Sequence, residues 1–146
     1  GEEYLSDDGE INRKKLGEYV FNRPDELLVL NQITHPPVRA EVEQRIQQAK
    51  SENKDVILLE TALLFEAGYE GYCDEVWYVY AKRDVRKQRL TQTRGYTEER
   101  IRDMFKRQHT DQFFRSHADY VVENNRTSQK SLAARLHRRI KRIKVR

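Results

Sequence analysis

The sequence predicts an α/β fold, a parallel sheet flanked by helices, on three observations. Val56, Ile57, Leu58 and Leu59 form an unbroken apolar run bounded by charged residues. A strand wetted on one face alternates apolar and polar residues, whereas an unbroken run asks for cover on both faces, as in a central parallel strand. Two further runs rich in β-branched and aromatic residues, 76–81 and 118–122, are separated from it and from each other by stretches with helical periodicity, the alternation that gives parallel strands with crossovers. Polar groups gather where these runs end, at Glu60-Thr61 and at Glu123-Asn124-Asn125, the edge where open α/β sheets bind ligands.

The chain of 146 residues is long enough for one domain with a real core. Charged residues make up 36% and hydrophobic ones 37%. The apolar residues recur periodically, so the charge is read as solvated helix faces rather than disorder. No apolar run approaches membrane-spanning length and no signal-peptide pattern is present. Cys73 is the single cysteine. No internal disulfide can form, and a reducing cytoplasm is the expected setting. The net charge of +4 suits an anionic partner, and phosphates on a small molecule satisfy it as well as nucleic acid does.

The first ten residues carry only a turn signal, at Asp8-Gly9. Asn12 is placed to cap a helix bearing Leu16, Val20 and Phe21, with Ile11 as a staple against Leu16. Asn22-Arg23-Pro24 interrupts it, and Pro24 opens a second helix with Asp25 and Glu26 at its positive end, buried through Leu27, Leu28, Leu30 and Ile33. Thr34-His35-Pro36-Pro37 is expected to break the chain before a third helix with Val38, Val42, Ile46 and Ala49 on one stripe. After the central strand and the Tyr69–Tyr72 aromatic loop, the second strand runs into a helix carrying Val85 and Leu90 and ended by Gly95. Thr97 caps the next helix, with Ile101, Met104 and Phe105. A short helix holds Phe113 and Phe114. The last begins at Thr127 or Ser128 and shows Leu132, Leu136, Ile140 and Ile143. Three strands are fewer than the roughly five of a typical sheet of this kind, and the shortfall is expected on the N-terminal side.

Several clusters could carry chemistry. Between Lys82 and Arg107 lie Arg83, Arg86, Lys87, Arg89, Arg94, Arg100, Arg102 and Lys106. Guanidinium groups grip phosphoryl oxygens bidentately, so this helical pair, hinged at Gly95, reads either as a clamp over a nucleotide or as a solvated face with interspersed acids. His35 before Pro36 is an acid/base or anion candidate, or a packed side chain. Glu60 and Glu66 are suited to Mg²⁺ or a substrate hydroxyl, or to purely structural roles. Asn124-Asn125 offers an amide that can read a base, or a turn. The basic tail from Arg135 is a helix packed through its apolar stripe, or a surface for phosphate backbones or membranes. The spacing of His, Cys, Asp and Glu matches no metal site. Cys73, beside Asp74 and without a cation, is not a nucleophile candidate. No GxxxxGK[ST] phosphate loop occurs.

The runs DGEINRKKLGEYVF, LNQITHPPVR, VILLETALLFEAGYEGYCDEVWYVYA and RKQRLTQTRGYTEERI, then Gln108 and ADYVVENN, together resemble dephospho-CoA kinase of the bacterial type. Their order and spacing match over nearly the whole chain. The match starts partway into the family's pattern, without its first strand, its phosphate-binding loop with the loop lysine, and its acidic residue for the substrate hydroxyl. The resemblance implies a partial P-loop NTPase fold of the nucleoside-monophosphate-kinase kind, with a helical substrate-binding subdomain and a helical lid. The expected layout is one partial domain, 1–146: residues 10–52 as the helical substrate-binding part, 53–81 and 118–146 as core sheet and helices, and 82–117 as lid.

The resemblance also implies an activity, transfer of the ATP γ-phosphoryl group to the 3′-hydroxyl of dephospho-CoA in the final step of coenzyme A biosynthesis, with ATP and Mg²⁺ in the intact enzyme. His35, Pro36 and Arg39 match the family's HPxxR-like motif on the substrate side. Leu63, Leu64, Phe65 and Glu66 match its PLLFE loop under the substrate, with Ala62 in place of the proline. Arg94 matches the lid arginine that acts on ATP phosphates and is the catalytic candidate; the one-residue-shorter spacing of some members puts Thr93 there. Gln108 matches the lid's closing glutamine, and Asn124 the asparagine near the adenine, with Glu123 where aspartate is usual. No residue is assigned to a metal. Expected partners are dephospho-CoA and ATP, with no membrane and no nucleic acid, and self-association through the incomplete sheet. The chain alone is expected to be catalytically inactive. Two alternatives stand beside this: a nucleotide- or CoA-binding module without chemistry, and a basic nucleic-acid-binding protein.

Overall fold

The computed structural model describes residues 1–21, 23–125 and 128–143. The chain divides into two compact units, Gly1–Leu58 and Leu59–Arg146. Three sequence readings fall on residues outside those described: Asn22 in the first helix break, Thr127 as a cap, and the end of the basic tail at 144–146.

The first unit is helical. A short 3-10 turn, Glu2–Tyr4, leads into a tight turn where Gly9 takes a φ of 81°, and Leu5 and Ile11 bridge antiparallel across it. Asn12 Oδ1 accepts the Lys15 N–H at 3.0 Å, so the expected cap starts α1 (Arg13–Phe21). Val20 is buried, and the Tyr19 ring lies 5.1 Å from that of Tyr4. Pro24 opens α2 (Pro24–Ser51), with Asp25 and Glu26 in the first turn. Tyr19 donates to Glu26 at 3.2 Å, and the Arg23 guanidinium sits 4.2 Å over the Tyr19 ring.

Two expectations are corrected here. Residues 34–37 do not break the chain: α2 runs through Pro36 and Pro37 as one helix of 28 residues, about 42 Å long. The two prolines deprive the carbonyls of Gln32 and Ile33 of their helical donors. That stretch is exposed, so water can satisfy them, and the Thr34 hydroxyl donates back to the Leu30 carbonyl at 2.8 Å. The flanking turns then carry the helix across. The apolar residues are also less buried than their spacing suggests. Leu27 and Leu30 are half-buried, while Leu28, Ile33 and Val38 are 57%, 66% and 50% exposed.

The apolar run at 56–59 is not a strand. Val56 and Ile57 are exposed, and Leu58 is 83% exposed; Leu59 is half-buried. Apolar content asks for cover, but a strand exists only where a neighbour completes its ladder, and the sheet among the described residues holds two other strands.

The second unit is built on that sheet. β1 (Trp77–Tyr80) and β2 (Tyr120–Glu123) pair in parallel, Trp77 beside Tyr120 and Tyr80 beside Glu123. Between them the chain forms α3 (Arg83–Arg94), α4 (Glu98–Arg107) and α5 (Asp111–His117). Gly95, at φ 62°, ends α3 in the left-handed conformation that favours glycine. Thr97 caps α4 by accepting the Arg100 N–H at 3.3 Å, and Thr110 caps α5 by accepting the Phe113 N–H at 3.1 Å. Ser128 accepts the Ser131 N–H and begins α6 (Gln129–Ile143). The core comprises Ala67, Tyr69, Ala81, Ile101 and Val122. Glu75, just before β1, takes two bonds of 2.8 Å from Arg139 Nη2 and ties α6 to the sheet. The apolar stripe of α6 is half-buried at Leu132, Leu136, Ile140 and Ile143, which favours the packed-helix reading of the tail.

Candidate active site

On α2, His35 and Arg39 are four residues apart and share a helix face. His35 is half-buried and Arg39 exposed. Both side chains thus sit on one continuous helix that runs through Pro36-Pro37.

In the second unit, Leu64, Phe65 and Glu66 sit on one helical turn closed by two crossing bonds: Tyr69 N–H to the Leu64 carbonyl at 2.8 Å and Gly68 N–H to the Phe65 carbonyl at 3.2 Å. Gly68 takes φ 68°. This is the Schellman closure, and it needs the left-handed glycine. Thr61 Oγ1 accepts the Leu63 N–H at 3.1 Å and fixes the entry. Phe65 meets Phe113 edge-on at 5.3 Å. Glu66 is exposed, and its Oε1 lies 3.6 Å from His109 Nε2. Glu60 is exposed.

The root of the helical pair α3–α4 is wired to the sheet. Asp111 Oδ1 accepts from the Tyr78 hydroxyl at 2.8 Å and from Arg86 Nη2 at 3.2 Å. Burial and the bond to the Asp111 carboxylate push the Tyr78 phenol up to about 12. The Lys82 N–H donates to Asn125 Oδ1 at 2.7 Å, and Arg89 Nη2 to the Asn125 carbonyl at 2.7 Å. Asn125 also donates to Glu123, which pairs with Arg115 at 3.3 Å. The first turn of α3 is thus held at the carboxyl end of both strands.

Most of the basic residues in the pair are already committed. Arg83 and Arg86 lie over the Phe105 ring at 5.1 and 4.9 Å, and Arg100 over Tyr96 at 4.3 Å. Lys87 meets Glu98 at 2.6 Å and Lys106 meets Asp103 at 3.6 Å. Arg83, Lys87, Glu98, Ile101, Arg102 and Phe105 line an open cleft of about 240 Å³. Arg94, in the last turn of α3 beside Gly95, is exposed and makes no hydrogen bond or ion pair among the described residues. Thr93 instead spends its hydroxyl on the Arg89 carbonyl at 2.7 Å. Gln108 is exposed at the C-terminal end of α4, one residue from His109.

Asn124 continues the ladder, its N–H donating to the Tyr80 carbonyl at 2.8 Å, and its side-chain amide is uncommitted among the described residues. Asn125 carries the structural bonds. Sequence reasoning missed Tyr78, Asp111 and His109, and it read Asn125 as a base-reading amide or a turn rather than as a tie to α3. Thr110 signals a helix start beside Asp111, but its partners lie 25 and 33 residues away. Burial, then Asp74 and Glu70, push the Cys73 thiol up, in line with its exclusion as a nucleophile. Among the described residues no group of three His, Cys, Asp or Glu comes together for a metal ion, and no helix is long and apolar enough to cross a membrane.

The α/β unit, a small parallel sheet with helices around it and a basic helical pair, has the fold class of the P-loop NTPases. Two solved structures share it: TT1252 from Thermus thermophilus (TM-score 0.74, 25% identity, covering 94% of this chain and 69% of that one) and a dephospho-CoA kinase from Campylobacter jejuni (TM-score 0.66, 27% identity, 97% and 69%). The family model for dephospho-CoA kinase matches residues 1–130. Dephospho-CoA kinases from Carboxydothermus hydrogenoformans and Corynebacterium diphtheriae are 36% and 34% identical over 125 residues, 86% of this chain. The chain belongs to the dephospho-CoA kinase family. It spans about three fifths of the length of these relatives, 61% and 62%.

Proposed function

We propose that the chain forms the substrate seat and lid of a dephospho-CoA kinase. In the proposed reaction the 3′-hydroxyl oxygen of dephospho-CoA bonds to the γ-phosphorus of ATP, the bond from that phosphorus to the β,γ-bridging oxygen breaks, ADP leaves, and the hydroxyl proton passes to solvent. Such transfer depends on positioning and on neutralising charge on the phosphoryl oxygens. The observation that carries the reading is Arg94: a guanidinium without a hydrogen bond or ion pair among the described residues, beside a left-handed glycine hinge, amid cations that are mostly paired or stacked. Its proposed role is to meet the ATP phosphates when the pair closes, with Gln108 at the closing end of α4. The open amide of Asn124 is proposed to face the adenine. His35 and Arg39 are proposed to hold dephospho-CoA, and Leu64, Phe65 and Glu66 to form the turn beneath it.

Mg²⁺ belongs to this reading as part of the MgATP substrate. The described residues do not form a cage for it, and no step is assigned to it. A cytoplasmic setting fits the single, unreactive cysteine. Self-association through the sheet edges is a further proposal, supported by the two-stranded sheet among the described residues, in which each strand has its ladder partner on one side.

The test is calorimetry of the 146-residue chain with dephospho-CoA, alongside a phosphoryl-transfer assay. Binding without turnover is expected, because these residues contain no GxxxxGK[ST] loop to cradle the β- and γ-phosphates. Turnover at the rate of the family's full-length enzymes, or no binding of dephospho-CoA, contradicts the proposal.

A further inference from the structure

We propose that His109 is a positioning residue: in its charged form it holds Glu66 and so fixes the Leu64–Phe65–Glu66 turn against the root of the lid. This rests on the proposed role of that turn in seating dephospho-CoA.

Two consecutive turn residues are clasped by one column of rings. The His109 imidazole stacks on Phe113 at 4.0 Å and 19°, and Phe113 stacks on His117 at 4.1 Å and 25°. Phe65 packs edge-on against Phe113 at 5.3 Å and His117 at 5.6 Å. Glu66 faces His109 Nε2 at 3.6 Å, close enough for an ion pair and too long for a strong hydrogen bond. The contact therefore draws its strength from charge.

Two ionisable groups of α5 near His109 in sequence, Asp111 and His117, are bonded elsewhere. Asp111 is bonded to Tyr78 and Arg86. His117 Nδ1 lies 2.8 Å from the Phe113 carbonyl and 3.1 Å from Ser116 Oγ. Glu66 is left as the anion opposite His109. Because His109 follows Gln108 directly and precedes the Thr110 cap of α5, the pair joins the substrate turn to the point where the lid returns to the sheet. Histidine changes charge between pH 5 and 8. The pair is therefore an ion pair only while the imidazole carries its second proton.

Two measurements test this. In carbon NMR of the 146-residue chain, the Glu66 carboxyl resonance shifts a second time between about pH 5 and 8, above the range in which carboxylates titrate. His109→Gln removes the second shift. In calorimetry, dephospho-CoA affinity falls about threefold across that range beyond the fall shown by His109→Gln, the scale of a partly exposed ion pair. His109→Lys, charged throughout, retains the acidic-end affinity at both ends. A Glu66 resonance that ignores His109, or the same pH profile in the wild type and His109→Gln, overturns the proposal. If the NMR coupling is present but dephospho-CoA binds at no pH, the substrate-seat reading fails while the His109–Glu66 contact stands.

Discussion

The two units of this chain are held by different kinds of interaction. In Gly1–Leu58 the ties described are local: Asn12 to Lys15, Tyr19 to Glu26, Arg45 to Glu41, Gln48 to Glu52. In the second unit they span long stretches of chain: Arg139 to Glu75 across 64 residues, Lys82 to Asn125 across 43, Tyr78 to Asp111 across 33. Local ties ask only that a helix form, so their loss costs little. Long-range ties close loops whose ordering entropy has already been spent, so each loss is felt by the whole unit. The same contrast bears on the proposed function: a long helix carries His35 and Arg39, whereas the proposed lid depends on a wired root.

The largest expected effect lies in the α3–α4 pair. Ile101 is 2% exposed and is the largest fully buried side chain among the described residues. Ile101→Ala is expected to destabilise the second unit by about 3 kcal/mol, read by denaturant unfolding. A loss under about 1 kcal/mol would mean the α3–α4 pair collapses to fill the space.

Next comes the tie between α6 and the sheet. Bonds from Trp77 and Arg139 hold the Glu75 carboxyl below its ordinary value. The stabilisation is therefore present above the unfolded-state pKa of Glu75 and is lost as pH falls through its lower folded value. Arg139→Ala should cost about 1–2 kcal/mol near neutrality. It should also flatten the acid limb of stability against pH, which circular dichroism melts would show. The smallest effect belongs to the first unit: Glu41→Ala removes an exposed pair with Arg45 and should change stability by under about 0.5 kcal/mol. A larger loss would erase the contrast between the units.

The second unit was legible in the sequence wherever the signal was local. Gly95, Thr97, Ser128 and the β-branched and aromatic strand runs each impose a backbone geometry of their own, and the elements formed where those residues placed them. The first unit was legible at Asn12 and Pro24 for the same reason. Pro36-Pro37 misled because proline's penalty is set by what can replace its missing donors, and on an exposed helix water can do so. The run at 56–59 misled because apolar content reports a demand for cover without naming the partner that supplies it. At the candidate site, Arg94, Gln108, Asn124 and the Leu64–Phe65–Glu66 turn came from motif resemblance. Asp111 and His109, and the partners of Asn125, were hidden because these roles depend on residues dozens of positions away.

The account rests on Arg94 meeting the transferred phosphoryl group, and steady-state kinetics of phosphoryl transfer to dephospho-CoA tests it most directly. The assay uses a chain of the relatives' full length carrying these residues, with and without Arg94→Ala. The expected result is a fall in kcat of at least about tenfold, as for loss of a group that binds charge developed in the transition state, while KM for dephospho-CoA stays within about twofold. An unchanged kcat would contradict it.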